Sequence, residues 1–284
     1  MNFADRLVEA QRKKSSVAIL GVDPQLDSGV PAGLSIESFC CEIVEACADS
    51  VIAIKPQLAF FEARGMDGMR AFVAVLKLAR KLGLLTIADA KRGDIGPTST
   101  AYSSAFLGDS DFSCDAITIN PYLGSDSIMP FLRSLPRGRG IFVLAKTSNP
   151  SSVEFQDLAT AEGPLWECVA RRIDGISSDF IGECGLSAVG AVVGATYPEQ
   201  ARRARELMPK VLILVPGYGA QGANALDAVA GMRADGTGVV VNASRSLMYA
   251  YRNQPGVKPG VAAAQAAEAM RIELNEARGT GSGR

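Results

Sequence analysis

Eight short apolar runs rich in Val, Ile and Leu recur along the chain, with helical stretches between them. They are VAILGVD (17–23), SVIAIK (50–55), LLTIADAK (84–91), AITINP (116–121), IFVLAK (141–146), AVGAVVG (188–194), VLILVPG (211–217) and GVVVNAS (238–244). Polar and apolar residues hardly alternate within them, the pattern of parallel strands buried on both faces. Stretches such as GMRAFVAVLKLARKL (68–82) and EQARRARELM (199–208) read as the intervening helices. A repeat of about 25 to 35 residues is the spacing of βα units. Eight such units predict an α/β protein folded as a (β/α)8 TIM barrel, with a doubly wound open sheet as the alternative. No strand leads into GxGxxG or GxxxxGK(S/T), so two common nucleotide fingerprints are missing. The 284 residues suit one barrel domain over 1–276, and the small polar segment ARGTGSGR (277–284) is expected to be a disordered tail.

A net charge of −1 provides no global field for nucleic acid. The N-terminal MNFADRLVEAQRKKSS is charged and amphipathic, unlike a signal peptide, and runs such as VLILVP are too short to span a bilayer. A cytoplasmic protein with no membrane partner is expected. The six cysteines (40, 41, 47, 114, 168 and 184) form no CxxC pair, which argues against a zinc site or a disulfide framework. The chain contains no histidine. That excludes Ser-His-Asp and Cys-His nucleophile systems, leaving Lys, Asp, Glu, Tyr or Cys to move protons.

The strand ends carry the chemistry. They terminate at Asp23, Lys55, Asp89 with Lys91, Asn120, Lys146 to Ser148, and Ser244 with Arg245. In a barrel these ends converge on one face, where active sites sit. The third run continues as IADAKRGDIGPTST (87–100). Asp89 and Lys91 are two apart on an extended strand and should point to one side, with Asp94 following after Gly93. A surface ion pair would explain this motif in isolation. With Asp23 and Lys55 ending neighbouring strands, a shared bowl of alternating charge is the better reading. Carboxylates on either side keep each lysine protonated. Such an array can hold a proton donor beside a forming carbanion and repel a leaving carboxylate.

DAKRGDIGPT (89–98) resembles the DxKxxDI signature of the orotidine 5′-monophosphate decarboxylase family. GVDPQ (21–25), AIKPQLAFFE (53–62), INPYLG (119–124) and VPGYGAQG (215–222) resemble further blocks of it, particularly in its longer-chain bacterial branch. The resemblance implies decarboxylation of orotidine 5′-monophosphate to UMP, the last step of de novo pyrimidine nucleotide synthesis, with no metal and no organic cofactor. It implies Lys91 as proton donor to C6, Asp89 beside the substrate carboxylate, and Lys55 and Asp94 completing the array. Asp23 and Lys55 would bind the ribose, and Ser148 or its neighbour Thr147 the pyrimidine. Asp94 and Thr98 would be contributed across a homodimer interface.

A phosphate site is expected where the glycine-rich PGYGAQG frees backbone N–H groups near Gln221, with Arg245 able to fork onto phosphate oxygens. The family often has Gly-Arg-Ser at the last strand, where this chain has Ser244-Arg245-Ser246, and no role is assigned to Ser244. Trp166 reads as helix packing, Phe60 and Phe61 as pocket wall or core, and Glu37, Glu42 and Glu45 as a solvated helix side. The rivals are metal-dependent sugar-phosphate decarboxylases and aldolases, which also carry DxKxxD, a Schiff-base aldolase, and an inactive phosphate-binding barrel. Lys55 stands where the metal-dependent group has an acidic ligand and would repel Mg²⁺. Asp89 and Asp94 would keep Lys91 charged, which disfavours Schiff-base chemistry.

Overall fold

A computed structural model describes residues 1–26, 30–194, 198–219 and 224–281. Each apolar run forms a strand: β1 Ala18–Val22, β2 Ala53–Pro56, β3 Leu85–Arg92, β4 Ala116–Ile119, β5 Gly140–Lys146, β6 Ser187–Val193, β7 Val211–Pro216 and β8 Val239–Ala243. Between these eight strands all pairings are parallel, neighbours in sequence are neighbours in space, and β8 closes onto β1 with Ala18 opposite Val241. Closure rules out the open-sheet alternative. Every residue of β1, β2, β4, β6 and β8 is buried. That is why these runs lack alternation: one face fills the barrel and the other meets helices.

The N-terminal end of the barrel is sealed by helix Phe3–Lys14, capped by the Asn2 side chain, which accepts the Ala4 N–H at 2.8 Å. Phe3 meets Phe142 of β5 edge-on, with ring centroids 6.0 Å apart. Gly140 is required beneath it, because a Cβ there would run into the Phe3 ring. On the same end Arg205 is half-buried and donates to the carbonyls of Met208, Val211, Gly231 and Gly238. Burial lowers its pKa to about 10, so it ties β7 and β8 to their connections as a cation facing carbonyl dipoles.

The last helix, Pro259–Gly281, packs small residues (Ala262, Ala263, Ala267) onto the rest of the fold. It continues past residue 276, where composition suggested a tail would begin, because Ala277 is buried and still packs. Gly260 approaches helix Ile36–Cys47 closely and donates its N–H to Glu42 at 2.9 Å. Glu42 is therefore a helix-to-helix contact and not one of a solvated row. Trp166 is buried on helix Leu165–Ser177, as its apolar surroundings suggested. All six cysteines are free, and burial pushes the Cys47 and Cys114 thiols up to about 12, which keeps them unreactive. Among the described residues no helix is long and apolar enough to cross a membrane.

Candidate active site

A cavity of about 490 Å³ opens at the C-terminal end of the barrel. Eight of the strand-end residues singled out from the sequence line it: Asp23, Lys55, Asp89, Lys91, Thr147, Ser148, Ser244 and Arg245. Asp89 is at its centre, buried at the floor. One carboxylate oxygen is bonded by Lys55, itself buried, while Lys91 Nζ lies 2.5 Å from the other. The Thr118 hydroxyl of β4 donates to the same carboxylate at 3.1 Å. Burial alone would raise the Asp89 carboxyl, but Lys55 and then Lys91 outweigh it and hold Asp89 well below the usual carboxylate range. Burial would likewise lower Lys55, and Asp89 and then Asp23 outweigh that, so Lys55 stays a cation. Burial dominates at Asp23 and raises its carboxyl, with Lys55 and a Ser244 hydrogen bond offsetting only part of it.

Asp89 and Lys91 share one side of β3, but the plain alternation of an extended strand is not the reason. The pairing of β3 with β4 slips between Ala88 and Arg92, and Lys91 adopts a left-handed backbone at φ 46°. A long side chain seldom occupies that region. Thr118 supports it: its Oγ1 accepts the backbone N–H groups of Ala90 at 3.1 Å and Lys91 at 3.0 Å. Thr118 thus fixes both the backbone of the lysine and the carboxylate that pairs with it. The sequence reading passed it over. The only signal was one hydroxyl residue inside the apolar run AITI.

The neighbouring strand ends are also braced. The Tyr249 hydroxyl donates to the Asp23 carbonyl at 2.9 Å and accepts the Gln25 N–H at 2.9 Å, and Arg64 donates to the Gln25 carbonyl at 3.0 Å. After β5, Thr147 is held by Gln156, which accepts its N–H at 2.9 Å and donates to its hydroxyl at 2.7 Å. Lys146, fully buried, pairs with Asp157 at 2.7 Å. Ser148 packs against Gly194, where a Cβ would lie 2.9 Å from its own. Leu144, Val192 and Leu214 form the opposite wall, with Phe60 at the margin. Phe61 turns into the core against Phe72.

Asp94 and Thr98 are not gathered into this cavity. Asp94 accepts the N–H of its neighbour Ile95 at 2.8 Å, and Thr98 is exposed on helix Gly96–Leu107. Arg245 is exposed at the rim, at the start of a short helix, Arg245–Met248. Gly217 and Gly219 both have positive φ, 95° and 75°, the turn that frees backbone donors there. Gln221 lies outside the described residues.

Residues 20–258 match the orotidine 5′-phosphate decarboxylase / HUMPS family. The chain belongs to that family. A Rhodopirellula baltica protein named orotidine 5′-phosphate decarboxylase is 41% identical over 274 residues, covering 89% of this chain and 90% of that one. The same-named Deinococcus radiodurans protein is 40% identical and covers 98% of each chain. A solved Toxoplasma gondii structure superposes with a TM-score of 0.88 at 33% identity, covering 100% of this chain and 99% of that one. The Leishmania donovani OMP decarboxylase structure gives 0.77 at 34%, covering 96% and 99%. The decarboxylase barrel therefore extends over essentially the whole chain.

Proposed function

We propose that this enzyme removes the C6 carboxylate of orotidine 5′-monophosphate to give UMP, with Lys91 donating the proton to C6. The observation that carries this reading is the placement of two lysines on opposite oxygens of one buried carboxylate, facing an apolar wall. The C6–carboxylate bond breaks and its electron pair stays on C6. Carbon dioxide leaves uncharged, which suits the wall of Leu144, Val192 and Leu214. The Lys91 Nζ–H proton then closes the C–H bond. Lys91 side-chain exposure of 43% gives it access to water for reprotonation. A preorganised cation beside the developing charge is the main stabilising term, since it needs no reorganisation when the charge forms. Asp89 is already saturated by two cations and Thr118, so an incoming carboxylate finds a fixed negative charge beside it.

Asp23 and Lys55 take the ribose hydroxyls. Ser148 takes the pyrimidine, because Thr147 is occupied by Gln156. Arg245 and the backbone of the glycine-rich segment, with Gln221, take the phosphate. Binding energy from this remote group is available to organise the reacting end. A homodimer would bring Asp94 and Thr98 of one protomer to the cavity of its partner. Ile95, Tyr122, Leu123 and Met129 are exposed apolar side chains around that segment, and Tyr122 is 82% exposed. Pyrimidine nucleotide synthesis in the cytoplasm is the corresponding cellular role.

The test is direct. Purified protein is mixed with orotidine 5′-monophosphate and excess EDTA, and the change in ultraviolet absorbance is followed. Conversion to UMP is expected. No conversion by folded protein, or conversion only with added Mg²⁺, would overturn the reading in favour of the metal-dependent branch. Borohydride trapping of a lysine adduct would overturn the role of Lys91 as a simple acid.

A further inference from the structure

Arg92 follows Lys91 directly and has no part in the reaction described above. The left-handed backbone at Lys91 is costly for a residue with a side chain, so its surroundings must hold it. A peptide unit is planar, and its C=O and N–H turn together. Rotation of the unit between Ala90 and Lys91 changes φ of Lys91 directly. Both ends of that unit are tied. Its N–H, from Lys91, is accepted by Thr118 Oγ1 at 3.0 Å. Its C=O, from Ala90, accepts a hydrogen bond from Arg92 Nη1 at 3.3 Å. The Arg92 carbonyl in turn accepts the Asn120 N–H at 2.8 Å, so the backbone of Arg92 is itself docked at the end of β4.

The guanidinium is fixed from two neighbouring helices. Nη2 donates to the Glu62 carboxylate on helix Leu58–Glu62, which follows β2. The guanidinium carbon lies over the Tyr102 ring, 5.2 Å from its centre, and 5.8 Å from the centre of Phe106, both on helix Gly96–Leu107. An ion pair with an exposed carboxylate would be weak by itself. A planar cation over two aromatic faces adds attraction and limits its freedom. Separate nitrogens of one rigid group thus reach Ala90 and Glu62 while its face meets the rings, which a lysine could not reproduce. We propose that Arg92 is a positioning residue for Lys91. It holds the Ala90–Lys91 peptide by its carbonyl as Thr118 holds it by its amide, and so fixes the backbone from which the Lys91 ammonium is presented to Asp89. The inference rests on the proton-donor reading above and extends it to the restraint that keeps the donor in place.

The test compares the wild type with Arg92→Met, Glu62→Ala and Glu62→Gln by turnover, UMP affinity and hydrogen exchange at the Lys91 amide. Arg92→Met keeps the length of the side chain and loses its donors. It should lower kcat about ten- to a hundredfold, leave UMP affinity essentially unchanged, and speed exchange of the Lys91 amide about five- to tenfold. Glu62→Ala, which frees the guanidinium, should show a smaller loss of kcat, and Glu62→Gln, which keeps an acceptor, should restore it. This pair decides the matter if Arg92→Met does not fold: no loss in Glu62→Ala, or a loss as large in Glu62→Gln, would overturn the inference. Wild-type kcat in folded Arg92→Met, or a UMP affinity reduced as much as kcat, would also overturn it. If the wild type does not decarboxylate orotidine 5′-monophosphate, the reading of the reaction falls. Exchange at the Lys91 amide then decides alone, and an unchanged rate in Arg92→Met would overturn the restraint.

Discussion

The two halves of the cavity occupy equivalent strand-end positions and differ in what they must do. On the β2–β4 side, Lys55, Asp89, Lys91 and Thr118 form a closed set of ion pairs and hydrogen bonds, and most members are buried. On the β5–β7 side, Leu144, Val192 and Leu214 present only carbon. Fixed charge on one side and low polarity on the other make the cavity electrostatically asymmetric. The barrel supplies eight equivalent positions, and the residue types divide them into a reacting side and a receiving side.

This contrast can be broken most severely at Lys91. Lys91→Ala should lower turnover by at least about a thousandfold while UMP binding, read by calorimetry, survives. Turnover near wild type would remove the proton-donor role. A shared site sharpens the contrast, since part of the reacting side would come from the partner. Mixing inactive Asp94→Ala and Lys91→Ala subunits should then recover up to about a quarter of wild-type activity, because statistical exchange yields hybrid dimers with one intact site. No recovery after demonstrated subunit exchange would confine the site to one chain.

Leu214→Ala, on the receiving side, should lower stability by about 2 kcal/mol in urea unfolding but turnover by no more than about tenfold. A loss matching that of Lys91→Ala would erase the distinction between the halves. The smallest effect is expected from pH. The Asp89 carboxyl is held below its unfolded-state value, so its contribution to stability is complete above about pH 4 and fades as pH falls toward its folded value. Urea unfolding of the wild type should therefore lose about 1 kcal/mol more between pH 7 and pH 3 than that of Asp89→Asn. Equal acid sensitivity would show that Asp89 is not the group being protonated.

The barrel was legible because its signal is repeated eight times and burial on both faces removes the ambiguity of any single run. Strand-end charges were legible for a related reason: several strands end in Asp or Lys, and in a barrel those ends meet on one face. Contributions from the neighbouring strand were much less so. Thr118 is a single polar residue inside an apolar run, and its meaning depends on which groups of the adjacent strand meet it. The conformation of Lys91 was hidden as well, since it is fixed by a β4 hydroxyl about thirty residues away. Asp94 and Thr98 could be named from the motif, yet no pattern within one chain brings them to the cavity.

The left-handed backbone at Lys91 reverses an ordinary ranking of amino acids. At most positions in regular structure alanine is better tolerated than glycine. At φ 46° the order inverts, and Lys91→Gly should be more stable than Lys91→Ala by about 1 kcal/mol. Both variants lack the ammonium group and should be equally inactive. Position 91 is thus one where the backbone favours a residue with no side chain and the proposed chemistry requires one of the longest, so on that proposal the fold and the reaction place opposing demands on a single residue.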